Sequence, residues 1–74
     1  MRLIREGKIY RHFKGKHYQV LAIGEHTETG EQMVVYSALY GAHRIYIRPL
    51  SMFAEEVDRA KYPDASQRYR FEEI

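Results

Sequence analysis

Three glycines constrain what this chain can fold into: Gly15, Gly30 and Gly41 each separate runs rich in aromatic and β-branched residues. Glycine adopts the positive φ that short hairpin connections require. The pattern therefore predicts strands over 8–13, 17–23, 32–39 and 46–48. They are joined at Lys14-Gly15-Lys16, Glu28-Thr29-Gly30-Glu31 and Tyr40-Gly41-Ala42-His43-Arg44. Pro49 ends the fourth run by withdrawing a ladder donor. Three hairpins in succession make a meander.

Beyond the meander, Ser51 is placed to cap a short helical turn over 52–57, where Phe53 and Val57 fall on one face. Residues 58–67 are mostly polar around Tyr62-Pro63-Asp64 and read as a loop. The tail then alternates, with Tyr69 and Phe71 opposite Arg68, Arg70 and Glu72, as a half-buried strand does. In the third run Met33 and Val35 share one face and Val34 and Tyr36 the other, which predicts a curved sheet covered on both sides. The expected fold is mostly β: an SH3-like five-stranded barrel made of a meander, a helical turn and a terminal strand. It is one domain over 1–74, with its core in 7–57 and the last strand near 68–73.

At 74 residues the core is small. A domain of this size buries only roughly 60% of its unfolded surface, so its 7 Tyr and 3 Phe are needed first for packing. There is no Cys, hence no disulfide, no thiolate nucleophile and no cysteine-ligated zinc. The opening Met1-Arg2-Leu3-Ile4-Arg5-Glu6 is no signal peptide and no apolar run approaches membrane-spanning length, so a cytoplasmic protein without membrane contact is expected. Six basic side chains in residues 1–20 face Glu6 alone, while Glu25, Glu28 and Glu31, then Glu55, Glu56 and Asp58, form acidic clusters. The charge is two-sided despite a net of only +2.

The run Tyr10-Arg11-His12-Phe13-Lys14-Gly15 is followed by Tyr18, Val20-Leu21, His26-Thr27-Glu28-Thr29, Val34-Val35-Tyr36, Leu39-Tyr40-Gly41, Arg48-Pro49, Met52-Phe53 and Glu55. This set resembles the bacterial domain-of-unknown-function family 1653 over residues 7–57, with an echo at Arg70-Phe71. The resemblance implies a small, mostly β bacterial domain, often a whole protein by itself, and carries no activity. Where that family usually has Trp before Val-Arg-Pro, this chain has Tyr46 before Ile47-Arg48-Pro49. A role that needs only a ring at that place is retained.

No serine lies in a strained nucleophile elbow, and no glycine loop precedes a long helix, so acyl-transfer catalysis and nucleotide binding of the P-loop or Rossmann kind have no support. Neither a cofactor nor a metal is expected, and catalysis is not. The leading expectation is a module that binds a protein or peptide along an aromatic face of Tyr36, Tyr40 and Tyr46, with Arg48 as polar anchor and His26 and Glu28 as further candidates. Arg48 has a structural alternative, a fork to Glu55. A second expectation is single-stranded nucleic acid held on the first hairpin by Tyr10, Arg11, His12, Lys14 and Lys16, through phosphate attraction and base stacking. A third is metal or proton chemistry at His26 and Glu28, which leave the same face if the strand continues through them. Free sheet edges leave room for a homodimer.

Overall fold

In the computed structural model, which describes residues 2–74, the chain runs β1 (Ile9–His12), β2 (His17–Glu25), β3 (Gln32–Ala38), β4 (Ile45–Pro49), the single-turn helix α1 (Leu50–Phe53) and β5 (Phe71–Glu73). The backbone reverses where left-handed conformation is available: Gly15, Gly30 and Gly41 have φ of 103°, 74° and 56°. Side-chain-bearing residues adopt such angles rarely. Every strand pairs antiparallel with its neighbour, in the order β4-β3-β2-β1-β5.

The molecule is mostly β, a five-strand antiparallel sheet with one short helix, but the expected barrel does not close. β4 and β5 are opposite edges of the sheet. β5 has only three residues, all paired to β1, and the space towards β4 is filled by side chains, with the Arg48 guanidinium 5.9 Å from the Phe71 ring centre. The terminal strand begins at Phe71 instead of 68, because Tyr69 makes only a lone bridge to Glu56. The helical turn also shifts, to Leu50–Phe53 in place of 52–57. Ser51 lies inside it, and Pro49 precedes it with no side-chain cap.

Strand alternation assembles the core. Tyr10, Val20, Val34 and Tyr36 leave one face of the sheet and meet Ile4, Phe53 and Phe71 in a single buried cluster. Phe53 and Phe71 stack with centres 4.1 Å apart and planes 5° apart, sealing the space that β4 and β5 leave between them. Burying each such ring is worth roughly 1.5–3 kcal/mol. The core reaches beyond 7–57, since Ile4 is buried too.

A bulge at Leu21 explains how β2 keeps its apolar residues inward. The register runs Val20↔Tyr36, then Ala22↔Val35, then Ile23↔Val34, leaving Leu21 without a partner. One extra residue changes the parity, so Val20 and Ile23 both face the core although they are three apart. The second face of β3 is not covered as expected: Met33 and Val35 are half-buried, and Leu21, Ile45 and Ile47 beside them are exposed. Antiparallel sheets commonly leave one face to water.

Candidate functional site

The register that builds the core also builds a cavity at its edge. Val20↔Tyr36, Tyr36↔Tyr46, Val34↔Arg48 and His12↔Phe71 are cross-strand pairs whose side chains leave the same concave face. They enclose a cavity of about 190 Å³ lined by His12, Tyr18, Tyr36, Tyr46, Arg48 and Phe71. Phe71 and Tyr36 are buried at its floor, while Tyr46 is exposed at its rim. The Tyr18 ring stands edge-on to Tyr36, Tyr40 and Phe71 at 5.6, 5.6 and 5.5 Å. Tyr36 lies 5.8 Å from Tyr46. Edge-to-face contacts of this kind hold the rings in fixed relative positions.

Hydroxyls and one cation give the cavity its polarity. Tyr18 and Tyr40 share a hydrogen bond of 2.7 Å between their hydroxyls. Burial first, then that hydrogen bond, pushes the Tyr18 hydroxyl well above the usual phenol range, so it stays protonated. Arg48 donates from Nε to the Tyr36 hydroxyl at 3.2 Å. The fork to Glu55 is not formed by Arg48. Arg70 takes that place, its Nη2 donating to Glu55 while its backbone N–H reaches the Glu55 carbonyl at 3.0 Å. Glu55 is fifteen residues from Arg70, and the two meet because residues 55–57 pair with 68–70, through the Glu56–Tyr69 bridge and backbone bonds from Val57 to Arg68 and from Arg70 to Glu55. Among the described residues Arg48 joins no ion pair.

His12 sits in the cavity wall and was not anticipated there. Its Nδ1 accepts the Lys14 N–H at 3.1 Å, which assigns the ring proton of the neutral form to Nε2. Burial, then the nearby charges of Arg70, Lys14 and Arg48, holds its pKa down to about 4, so it is neutral at physiological pH. Tyr10 and His12 alternate onto one face in β1, as Tyr18 and Val20 do in β2. That alternation was the signal available for His12. Nothing local to Phe71 announced that it would form the floor.

The other candidate residues are dispersed. Tyr36, Tyr46 and Arg48 meet, with Tyr40 joined through Tyr18, but His26 and Glu28 lie in the β2–β3 turn at the far end of β2 from Tyr18. There the His26 Nδ1 accepts the backbone N–H of Glu28 at 3.1 Å, a turn-closing role. Among the described residues no three His, Asp or Glu gather to hold a metal. On the first hairpin, Tyr10 is buried and leaves no face for a base, and Arg11 donates to Gln67 at 3.0 Å. Lys14 and Lys16 rest over the Tyr62 and Tyr40 rings at 5.2 and 4.8 Å.

A larger cleft, about 490 Å³, lies beside α1 between Arg2, Glu55, Glu56 and Tyr69. Three of the arginine and carboxylate groups around it are engaged inside the fold: Arg2 donates to the Ala54 and Phe71 carbonyls, and Glu55 and Glu56 pair with Arg70 and Arg68, while Glu31 also lines the cleft. The smaller aromatic cavity holds a cation, Arg48, that joins no ion pair among the described residues. Among the described residues no helix is long and apolar enough to cross a membrane.

Comparison with known proteins bears on the chain as a whole. The profile of a family described as "Protein of unknown function (DUF1653)" matches residues 8–73. The chain is also similar to a crystal structure of a DUF1653 protein from Bordetella bronchiseptica, at 36% identity and a TM-score of 0.78, covering 96% of this chain and 87% of that one. No curated protein matches it.

Proposed function

Since the chain belongs to the DUF1653 family, whose description carries no activity, we propose from the geometry that it is a non-catalytic module binding a protein or peptide segment on its concave aromatic face. The observation that carries this is the convergence of Tyr18, Tyr36, Tyr46 and Phe71 around a cavity of about 190 Å³ next to the unpaired edge of β4. Pockets for whole drug-sized ligands run to about 300–1,000 Å³. This one suits a single residue of a longer chain, and tyrosines offer that residue both apolar area and hydrogen bonds at small entropic cost. A cytoplasmic setting fits a chain with no disulfide to maintain.

The test is selection from a random peptide library displayed on phage, against the wild type and against Tyr46→Ala. Peptides that bind the wild type, compete with one another and lose affinity for Y46A are expected. Recovery of no peptide that distinguishes the two proteins overturns the reading.

A second reading is favoured by one observation. Phe13 and Tyr62 form a ring pair 4.9 Å apart, with Lys14 and Lys61 beside them, a basic shelf on which a single-stranded nucleic acid base can stack. It predicts oligonucleotide affinity that falls steeply with salt.

A further inference from the structure

We propose that the group received by the aromatic cavity is the side-chain carboxylate of an aspartate or glutamate in an extended segment laid along β4. This rests on the peptide-binding reading above and narrows it to a ligand chemistry. The charges around the cavity favour a single negative charge. Of the six lining residues only Arg48 is charged at neutral pH, and none is acidic. Arg70, whose charge also acts on His12, is matched by Glu55. Arg48 is half-buried and has no counter-ion among the described residues, so only the Tyr36 hydroxyl and the Phe71 ring offset its desolvation until an anion arrives. With Nε spent on Tyr36, the two Nη groups remain to donate in parallel to a carboxylate. A phosphate dianion would leave a second charge unmatched against a wall of rings.

The backbone supplies the approach. The Ala38 N–H bonds to the Arg44 carbonyl at 2.9 Å, so the alternate residues Tyr46 and Arg48 also turn their backbone groups to β3. Those of Ile45 and Ile47 are left for the free edge. A strand added there directs every second side chain to the concave face, beside Tyr46 and Arg48. A residue within the segment is thereby presented to the cavity, and the end of the chain is not.

The experiment is an amide NMR titration of the whole protein with acetylated, amidated pentapeptides Val-Thr-X-Thr-Val, where X is Glu, Gln or phosphoserine. A fourth peptide has X as Gln and a free C-terminus. The Glu peptide is expected to shift the Tyr46, Ile47 and Arg48 signals and to bind about tenfold or more tightly than the Gln peptide. Arg48→Gln should erase that difference, and Arg48→Lys should restore only part of it. The comparison of Glu with Gln on the wild type needs no variant to fold. Equal binding of Glu and Gln at this face overturns the carboxylate while leaving peptide binding intact. Tighter binding of the phosphoserine or free-terminus peptide overturns the side-chain assignment. Absence of shifts with all four overturns the inference, and the phage selection then decides the broader reading separately.

Discussion

His12 carries the clearest pH consequence in the molecule. Unfolded, its imidazole titrates near the ordinary histidine value of about 6.5; folded, burial and the Arg70, Lys14 and Arg48 charges hold it to about 4. Between those values the unfolded chain binds the extra proton, so stability is complete above pH 6.5 and drains away as pH falls towards 4. With its partial exposure allowed for, the loss attributable to His12 is about 1–2 kcal/mol. Urea unfolding at neutral and mildly acidic pH checks it by comparing wild type with His12→Gln, which should lose less. At this scale alternation made Tyr36, Tyr46 and Arg48 legible as neighbours. The Arg70–Glu55 pair was not legible, because the contact depends on how residues 54–70 fold back and no period in the sequence encodes that path.

Among the elements, β2 is unusual in that its inward residues obey two parities joined by a bulge. Pairing on either side of Leu21 is already in register. Deleting Leu21 should therefore leave Val20 and Ile23 facing the core and give a protein that still unfolds cooperatively. Deleting Val35 from the facing strand forces either Val34 or Tyr36 outward and should abolish folding. Circular dichroism through urea unfolding distinguishes the two outcomes, and a ΔLeu21 protein without a transition would refute this account of the bulge. The hairpins were legible because their glycines sit at turns that need positive φ. Helix α1 begins N-terminal of the 52–57 that the sequence pattern predicts: a single turn has little propensity signal of its own and follows the burial of Phe53.

For the whole molecule the decisive contacts join the two ends of the chain. Arg5 pairs with Glu73, Arg2 reaches the Phe71 carbonyl at 2.5 Å, and Phe71 stacks on Phe53. Removing residues 71–74 withdraws an edge strand and the cavity floor together, and should leave a chain without a cooperative thermal transition by calorimetry. The number of strands and the meander that joins the first four could be read from the sequence. Whether the sheet closed could not, since closure turns on the gap between β4 and β5, which rings fill in place of backbone hydrogen bonds. The linked phenols of Tyr18, Tyr36, Tyr40 and Tyr46 have one more consequence. With no indole anywhere in the chain to dominate its ultraviolet emission, these tyrosines are a built-in optical reporter, and an occupant arriving among them changes the intrinsic fluorescence without any attached label.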